Sequence, residues 1–166
     1  MEFKTVGVLG TGQMGAGIAQ VAAEAGCKVL MADINREIAE TGKASIAKIL
    51  GKGVEKGKID AKRRDEVLAL LTPVDSVAAF KDCDIAIEAA TENIELKLKL
   101  FKGMDDACPP HAILATNTSS ISITLIAAAT KRPAKVVGMH FMNPVPVMKL
   151  VELIRALQTD DETYAS

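Results

Sequence analysis

The segment Gly10-Thr11-Gly12-Gln13-Met14-Gly15 limits what this chain can fold into more than any other part of it. It follows the apolar run Val6 to Leu9 and opens an Ala-rich stretch, Gln13 to Ala25, that stops at Gly26. That order reads as strand, tight turn and helix. Each glycine at this spacing meets its own demand. Gly10 permits the sharp turn, Gly12 lets a pyrophosphate approach the backbone, and Gly15 allows the helix to pack closely on the strand. The helix start offers unpaired N–H groups and a positive dipole end to phosphates, with Thr11, Gln13 and Met14 completing the loop. A second apolar run, Lys28 to Ala32, ends at Asp33, about 20 residues beyond the glycines, where a carboxylate can accept hydrogen bonds from a ribose diol. Together these residues predict a dinucleotide site. The charge of Asp33 would repel a 2′-phosphate and so favours NAD over NADP, while nearby Arg36 pulls the other way.

The rest of the chain repeats the alternation. Arg36 to Leu50 carries Ile38, Ile46, Ile49 and Leu50 at helical spacing, and 51–58, rich in Gly and Lys, is expected to break or weaken that helix. Ala61 to Leu71 resumes helical periodicity behind Asp60 as N-cap. Asp84 to Ala89, Ala112 to Thr116 and Val136 to Phe141 read as strands, with helices over Asn93 to Ala107 and Ser122 to Thr130. Strands separated by helical stretches predict an α/β fold: a doubly wound, mainly parallel sheet of the Rossmann type, because parallel neighbours need crossover connections. Met148 to Ile154 follows Phe141 after only a short Pro-containing loop, which favours an antiparallel C-terminal strand.

A chain of 166 residues fits one domain. With 49% hydrophobic and 25% charged residues it is not a disordered sequence, and a net charge of −1 without like-charge blocks argues against a nucleic-acid partner. Aromatic residues make up only 3%, so the core is expected to be built from Ala, Val, Ile, Leu and Met. No apolar run reaches the roughly 18 residues of a membrane span, and Glu2 and Lys4 are unlike a signal peptide. Cys27, Cys83 and Cys108 show no metal-ligand spacing and read as reduced, buried residues of a cytoplasmic protein; no metal site is expected.

Ligands in open α/β sheets bind outside the carboxyl ends of the strands, where this chain places Glu88 to Asn93 and Thr116-Asn117-Thr118-Ser119-Ser120. Ser119 and Ser120 suit either a helix cap or a ligand. His140 and Glu152 lie symmetrically about Pro146. A return centred there sets them directly opposite each other on one face of the sheet, and a carboxylate-held histidine has the fixed tautomer that a general base needs. The same spacing would also arise from a core histidine and an unrelated acid. His111, after Pro109-Pro110, reads as an exposed loop residue. Thr159-Asp160-Asp161-Glu162 has the signature of a capping box starting a further helix, which suggests the front part of a longer polypeptide.

In the stretches Gly7 to Gln20, Thr116 to Ser120 and Gly138 to Glu152, the sequence resembles the 3-hydroxyacyl-CoA dehydrogenase family, bacterial 3-hydroxybutyryl-CoA dehydrogenases in particular. The resemblance runs from about Val6 to Thr159. It implies an NAD-dependent interconversion of (S)-3-hydroxyacyl-CoA and 3-oxoacyl-CoA, with an acyl-CoA as partner molecule. His140 would be the general acid/base, Glu152 its orienting group, and Ser119 a hydrogen-bond donor to the reacting oxygen that also helps place the nicotinamide. Glu92, Lys97 and Asn117 would contact the cofactor on the nicotinamide side, and Ser45, Lys52 and Asn143 would lie on the substrate side. Members of that family continue into a helical C-terminal domain that completes the cleft and forms a homodimer. The resemblance therefore assigns residues 1–166 to the NAD-binding domain and leaves this chain nearly inactive alone. Two rivals stand beside it: a 3-hydroxyisobutyrate-type dehydrogenase, which opens with a similar glycine motif but uses a lysine, and an NAD-binding module without turnover.

Overall fold

In the computed structural model, which describes residues 3–166, the first apolar run is β1 (Thr5–Leu9), and the glycine loop delivers it into α1 (Gln13–Glu24). Gly26, in the left-handed region at φ 94°, stops that helix and turns the chain into β2 (Lys28–Ala32). Asn35 caps α2 (Arg36–Glu55) by accepting from the Ile38 N–H at 3.0 Å. The helix ends within 51–58 as expected, though not at its first glycines. Gly51 and Gly53 stay helical, and a Cβ on Gly53 would stand 3.3 Å from Ile59, so the glycine admits the returning chain rather than ending the helix. The helix stops at Gly57, where φ is +65°.

Asp60 caps α3 (Ala61–Ala69) as expected, accepting from the Arg63 N–H at 2.7 Å. Leu71, expected to be helical, instead opens the short strand β3 (Leu71–Pro73) at one sheet edge, where a proline is tolerated. A 3₁₀ segment over Val77–Asp82 leads to β4 (Ile85–Glu88). Then follow α4 (Ile94–Ala107, capped by Asn93), β5 (Ile113–Thr116), α5 (Ile123–Ala128, capped by Ser122) and β6 (Val136–Phe141). β7 (Val151–Arg155) starts later than the expected Met148, and the peptide bond between Asn143 and Pro144 in the intervening loop is cis.

The seven strands run in the order β3-β2-β1-β4-β5-β6-β7, parallel except for the antiparallel pair β6–β7. This is the doubly wound sheet with an antiparallel C-terminal strand that the sequence predicts. Each face has its own core. Val6 and Val8 join Ile18, Ala19, Ile46, Leu50 and Val67 on the side of α1, α2 and α3. On the other side Leu9, Ala86 and Leu114 meet Phe80, Phe101, Met104 and Ile126. The core is thus not purely aliphatic: Phe80 and Phe101 are fully buried. A Cβ on Gly7 would stand 2.7 Å from the Phe80 ring, so the glycine within β1 makes room for it.

The chain ends in α6 (Asp161–Ala165), whose cap is Asp160 rather than Thr159. The Thr159 hydroxyl is buried and committed elsewhere, donating to the Val136 carbonyl at 2.6 Å and accepting from the Ala156 N–H at 2.8 Å. Cys83 and Cys108 are buried, and desolvation pushes their thiols up to about 12 and about 11; Cys27 is half-buried rather than buried. His111 is exposed as expected, with Nε2 3.7 Å from Asp84.

Candidate active site

The chain reverses direction across the sheet between β1 and β4, and the glycine loop and the 89–93 turn meet over that crevice. Gly10 has φ +93°, and a Cβ there would stand 2.9 Å from the backbone of Ala89. A Cβ on Gly15 would come to 1.7 Å from the Gly10 carbonyl oxygen, which is no contact at all, so α1 can seat on the loop only with glycine. Gly12 faces open space and caps α1 without a side chain, leaving the first N–H groups of the helix directed outward. Asp33 ends β2 beside them. Its Oδ2 accepts from the Thr11 N–H at 2.6 Å and the Thr11 hydroxyl at 2.9 Å, and its Oδ1 from the Ile34 N–H at 2.8 Å. The carboxylate is therefore fixed before any ribose arrives. A cleft of about 490 Å³ opens here, with Asp33, Gly10 and Gly12 along one wall and Ile34, Ala90 and Leu96 among its apolar groups. An open glycine at a helix start, a held carboxylate and an apolar slot suit the phosphates, ribose and adenine of NAD.

The second half of the site gathers at the carboxyl ends of β4, β5 and β6. A cleft of about 340 Å³ is lined by Met14, Ala90, Glu92, Asn117, Ser119, His140 and Asn143. His140 and Glu152 pair directly across β6 and β7, and His140 Nδ1 lies 2.8 Å from Glu152 Oε2. The spacing about Pro146 thus has the consequence expected of it. Their side chains are 22% and 51% exposed, so the pair stands at the rim of the sheet, with Ser119 and Ser122 across a second groove. Asn117 bridges strands: its N–H donates to the Glu88 carbonyl at 2.8 Å, and its Oδ1 accepts from the Phe141 N–H at 2.8 Å. Burial would raise the Glu92 carboxyl, but the Thr118 and Ser120 hydroxyls and the charge of Lys97 together hold it below the usual carboxylate range.

Lys97 does not stand in this cleft. It is wholly enclosed, with Nζ donating to both Glu88 oxygens at 2.8 and 3.0 Å and to the Ala90 carbonyl at 3.3 Å. A buried carboxylate needs a counter-charge, and Glu88, itself fully buried, has claimed this one. Lys97 comes toward the site only through Ala90 and through Glu92, whose Oε2 is 3.6 Å away.

Ser45 and Lys52 share a face of α2, outside this cleft. Ser45 lines a slot of about 480 Å³ together with Gln13, Ile49, Asn143 and Pro146, and Lys52 lines an adjoining one that shares Ile49 and Pro146. Asn143 links slot and cleft; its Oδ1 accepts from the Gln13 amide at 3.2 Å. Sequence reasoning names three residues without seeing what they hold: Thr11 as the clasp on Asp33, Thr118 as the clasp on Glu92, and Glu88 beneath both loops. Only the last left a trace, an acid inside an otherwise apolar strand.

A switch-point glycine loop, a carboxylate held at the end of β2 and a histidine–carboxylate pair near the carboxyl end of β6 define a dinucleotide-binding domain of the Rossmann type. Residues 5–166 match the family model for the 3-hydroxyacyl-CoA dehydrogenase NAD binding domain. The chain belongs to the 3-hydroxyacyl-CoA dehydrogenase family, as its NAD-binding domain. It is 52% identical to the probable 3-hydroxybutyryl-CoA dehydrogenase of Bacillus subtilis, over 98% of this chain and 57% of that protein. It is 47% identical to the 3-hydroxyadipyl-CoA dehydrogenase of Escherichia coli, over 98% of this chain and 34% of that one. The crystal structure of (S)-3-hydroxybutyryl-CoA dehydrogenase from Ralstonia eutropha superposes with a TM-score of 0.96 at 47% identity, covering 99% of this chain and 58% of the other. The chain therefore spans little more than half the length of those two 3-hydroxybutyryl-CoA dehydrogenases. Among the described residues no helix is long and apolar enough to cross a membrane.

Proposed function

We propose that the protein containing this domain interconverts (S)-3-hydroxyacyl-CoA and 3-oxoacyl-CoA, with 3-hydroxybutyryl-CoA as the substrate. The observation that carries the proposal is the His140–Glu152 pair, 2.8 Å apart and facing the Ser119 loop. With Nδ1 engaged by Glu152, Nε2 of His140 is the nitrogen left to take the proton of a substrate hydroxyl, and to return it in the reverse direction. Glu152 keeps the ring turned to the cleft and stabilises the imidazolium as it forms. Ser119, exposed at the lip of both grooves, donates to the reacting oxygen. NAD, when bound, supplies the hydride acceptor for the alcohol or, reduced, the donor for the ketone.

Gly10, Gly12, Gly15 and Asp33, with Thr11, Gln13 and Met14, would hold the adenosine and pyrophosphate. Glu92 and Asn117, with Ser119, would face the nicotinamide. Asn143, Ser45 and Lys52 run from the cleft along α2 and would take the thioester and the CoA nucleotide; the cationic Lys52 suits a phosphate. The additional length of the relatives fits a helical C-terminal region that closes the cleft and forms a homodimer, in a cytoplasmic enzyme. The test is oxidation of NADH with acetoacetyl-CoA or with free acetoacetate, using a protein in which this chain is followed by such a region. Turnover with the thioester supports the reading. Turnover confined to free hydroxyacids and ketoacids would replace it with a 3-hydroxyisobutyrate-type activity.

A further inference from the structure

We propose that Glu88 is a positioning residue for the nicotinamide half of the site: a buried carboxylate that fixes the two loops between which the ring is held. This rests on the reading that the nicotinamide lies in the cleft between the 89–93 turn and the 117–120 loop. Glu88 ends β4 and is fully buried, so it touches no ligand itself. Taking a carboxylate and an ammonium out of water is costly unless every bond is well made, and here four are made. The carboxylate accepts from Lys97 Nζ at 2.8 and 3.0 Å, from the Thr116 hydroxyl at 2.7 Å and from the Ala90 N–H at 2.6 Å.

Those donors come from three different places: α4, the end of β5 and the 89–93 turn. Ala90 is held twice, by its N–H on Glu88 and by its carbonyl on Lys97. The other loop is held through the Thr116 hydroxyl and through the Asn117 N–H on the Glu88 carbonyl. Ala90 and Asn117 then stand on opposing walls of the cleft that His140 enters. An apolar pair of the same volume would fill this space without directing either loop, whereas directional bonds set their separation.

A role in stability alone and a role in positioning make different predictions for two ligands. ADP-ribose carries everything in NADH except the nicotinamide and reads the Gly10–Asp33 half. The fluorescence of NADH comes from the reduced nicotinamide and reads the other half. Three forms of the 166-residue chain are titrated with both ligands: the unaltered chain, Thr116→Val, and the paired Glu88→Leu/Lys97→Met, which leaves no charge unpartnered. In the variants NADH affinity should fall roughly tenfold, about the worth of one charge-assisted hydrogen bond. The fluorescence gain on binding should shrink, and ADP-ribose affinity should fall clearly less than NADH affinity, since Ala90 borders both clefts whereas Asn117 borders only the one assigned to the nicotinamide. Equal weakening of both ligands, or unchanged NADH binding by a folded variant, overturns the proposal. Equal affinity of the unaltered chain for NADH and ADP-ribose overturns the nicotinamide placement and the proposal with it. If the paired variant does not fold, Thr116→Val decides, because it removes one hydroxyl from a retained ion pair.

Discussion

The two halves of the site are built on different terms. Around Gly10 and Asp33 the groups are set by the backbone of strands buried in the middle of the sheet. Val8 and Ala32 have no exposure, and Thr11, the clasp on Asp33, has 4%. Around His140 and Glu152 they stand on the last hairpin, with β7 as the edge strand and Leu153 and Ile154 exposed beside the Glu152 carboxylate. The groups proposed for the dinucleotide are thus held rigidly, while the proposed acid–base pair is partly open to water. A pair this exposed would forgo part of what orientation and desolvation contribute, which can reach about 7 to 11 kcal/mol of a barrier.

Substitutions that separate the halves test this contrast. The largest effect is expected from His140→Gln in a protein that also carries a C-terminal region. Turnover of acetoacetyl-CoA should fall by roughly 10² to 10⁴-fold, the usual loss with a general acid/base, while NADH affinity barely moves. Unimpaired turnover would dismiss His140 from the chemistry. Asp33→Ala should do the opposite: NADH binding weakens by about ten- to a hundredfold, for hydrogen bonds to a charged group worth roughly 1.5 to 3 kcal/mol, and the preference over NADPH disappears. If titration finds NADH and NADPH already equal before the substitution, Asp33 does not discriminate between them. Glu152→Gln should lower turnover by about tenfold, less than loss of the imidazole, because half-exposed Glu152 acts through His140 and water can take part of its place.

The two halves were not equally readable beforehand. The glycine loop, Asp33 and the first strand–helix–strand unit depend on local rules: a turn, a cap and a fixed spacing. The His140–Glu152 register was readable because a short return leaves few ways to align two strands. The surroundings of Lys97 were hidden for the converse reason. Its partner Glu88 lies on another element, and nothing in the intervening residues tells whether a lysine stem points out to a cleft or in beneath one. β3 hid because three residues ending in proline show no periodicity. Gly53 looked like a breaker because Ile59, which packs on it, comes from farther along the chain.

The smallest expected effect lies away from both halves. Asp84 accepts from the Lys4 and Thr5 N–H groups at 2.8 and 2.9 Å. Burial works to raise its carboxyl, yet these bonds and the nearby His111 hold it below the ordinary 3.8. A carboxylate depressed on folding contributes stability that is complete above its unfolded pKa and is lost as pH falls through its folded one. Asp84→Asn should therefore cost about 1 kcal/mol near neutral pH, and the difference from the unaltered chain should shrink below pH 3.8. Denaturant unfolding at both pH values measures this. NADH affinity at neutral pH should not change, and a change would mean that the amino ends of the strands communicate with the site.

Six of the seven strands run the same way, so the sheet has a working end and a joining end. Every loop that touches a candidate ligand leaves from the carboxyl ends. The opposite loops include fastenings, such as Asp84 on β1 and Arg132 on Asp105 and the carbonyls that finish α4. The protein can therefore be handled from one side. A dye, a surface tether or a fused partner joined through the exposed Lys131 or His111 would leave the cleft facing outward. The same polarity lets the working loops diverge toward other substrates without renegotiating how the strands are held together.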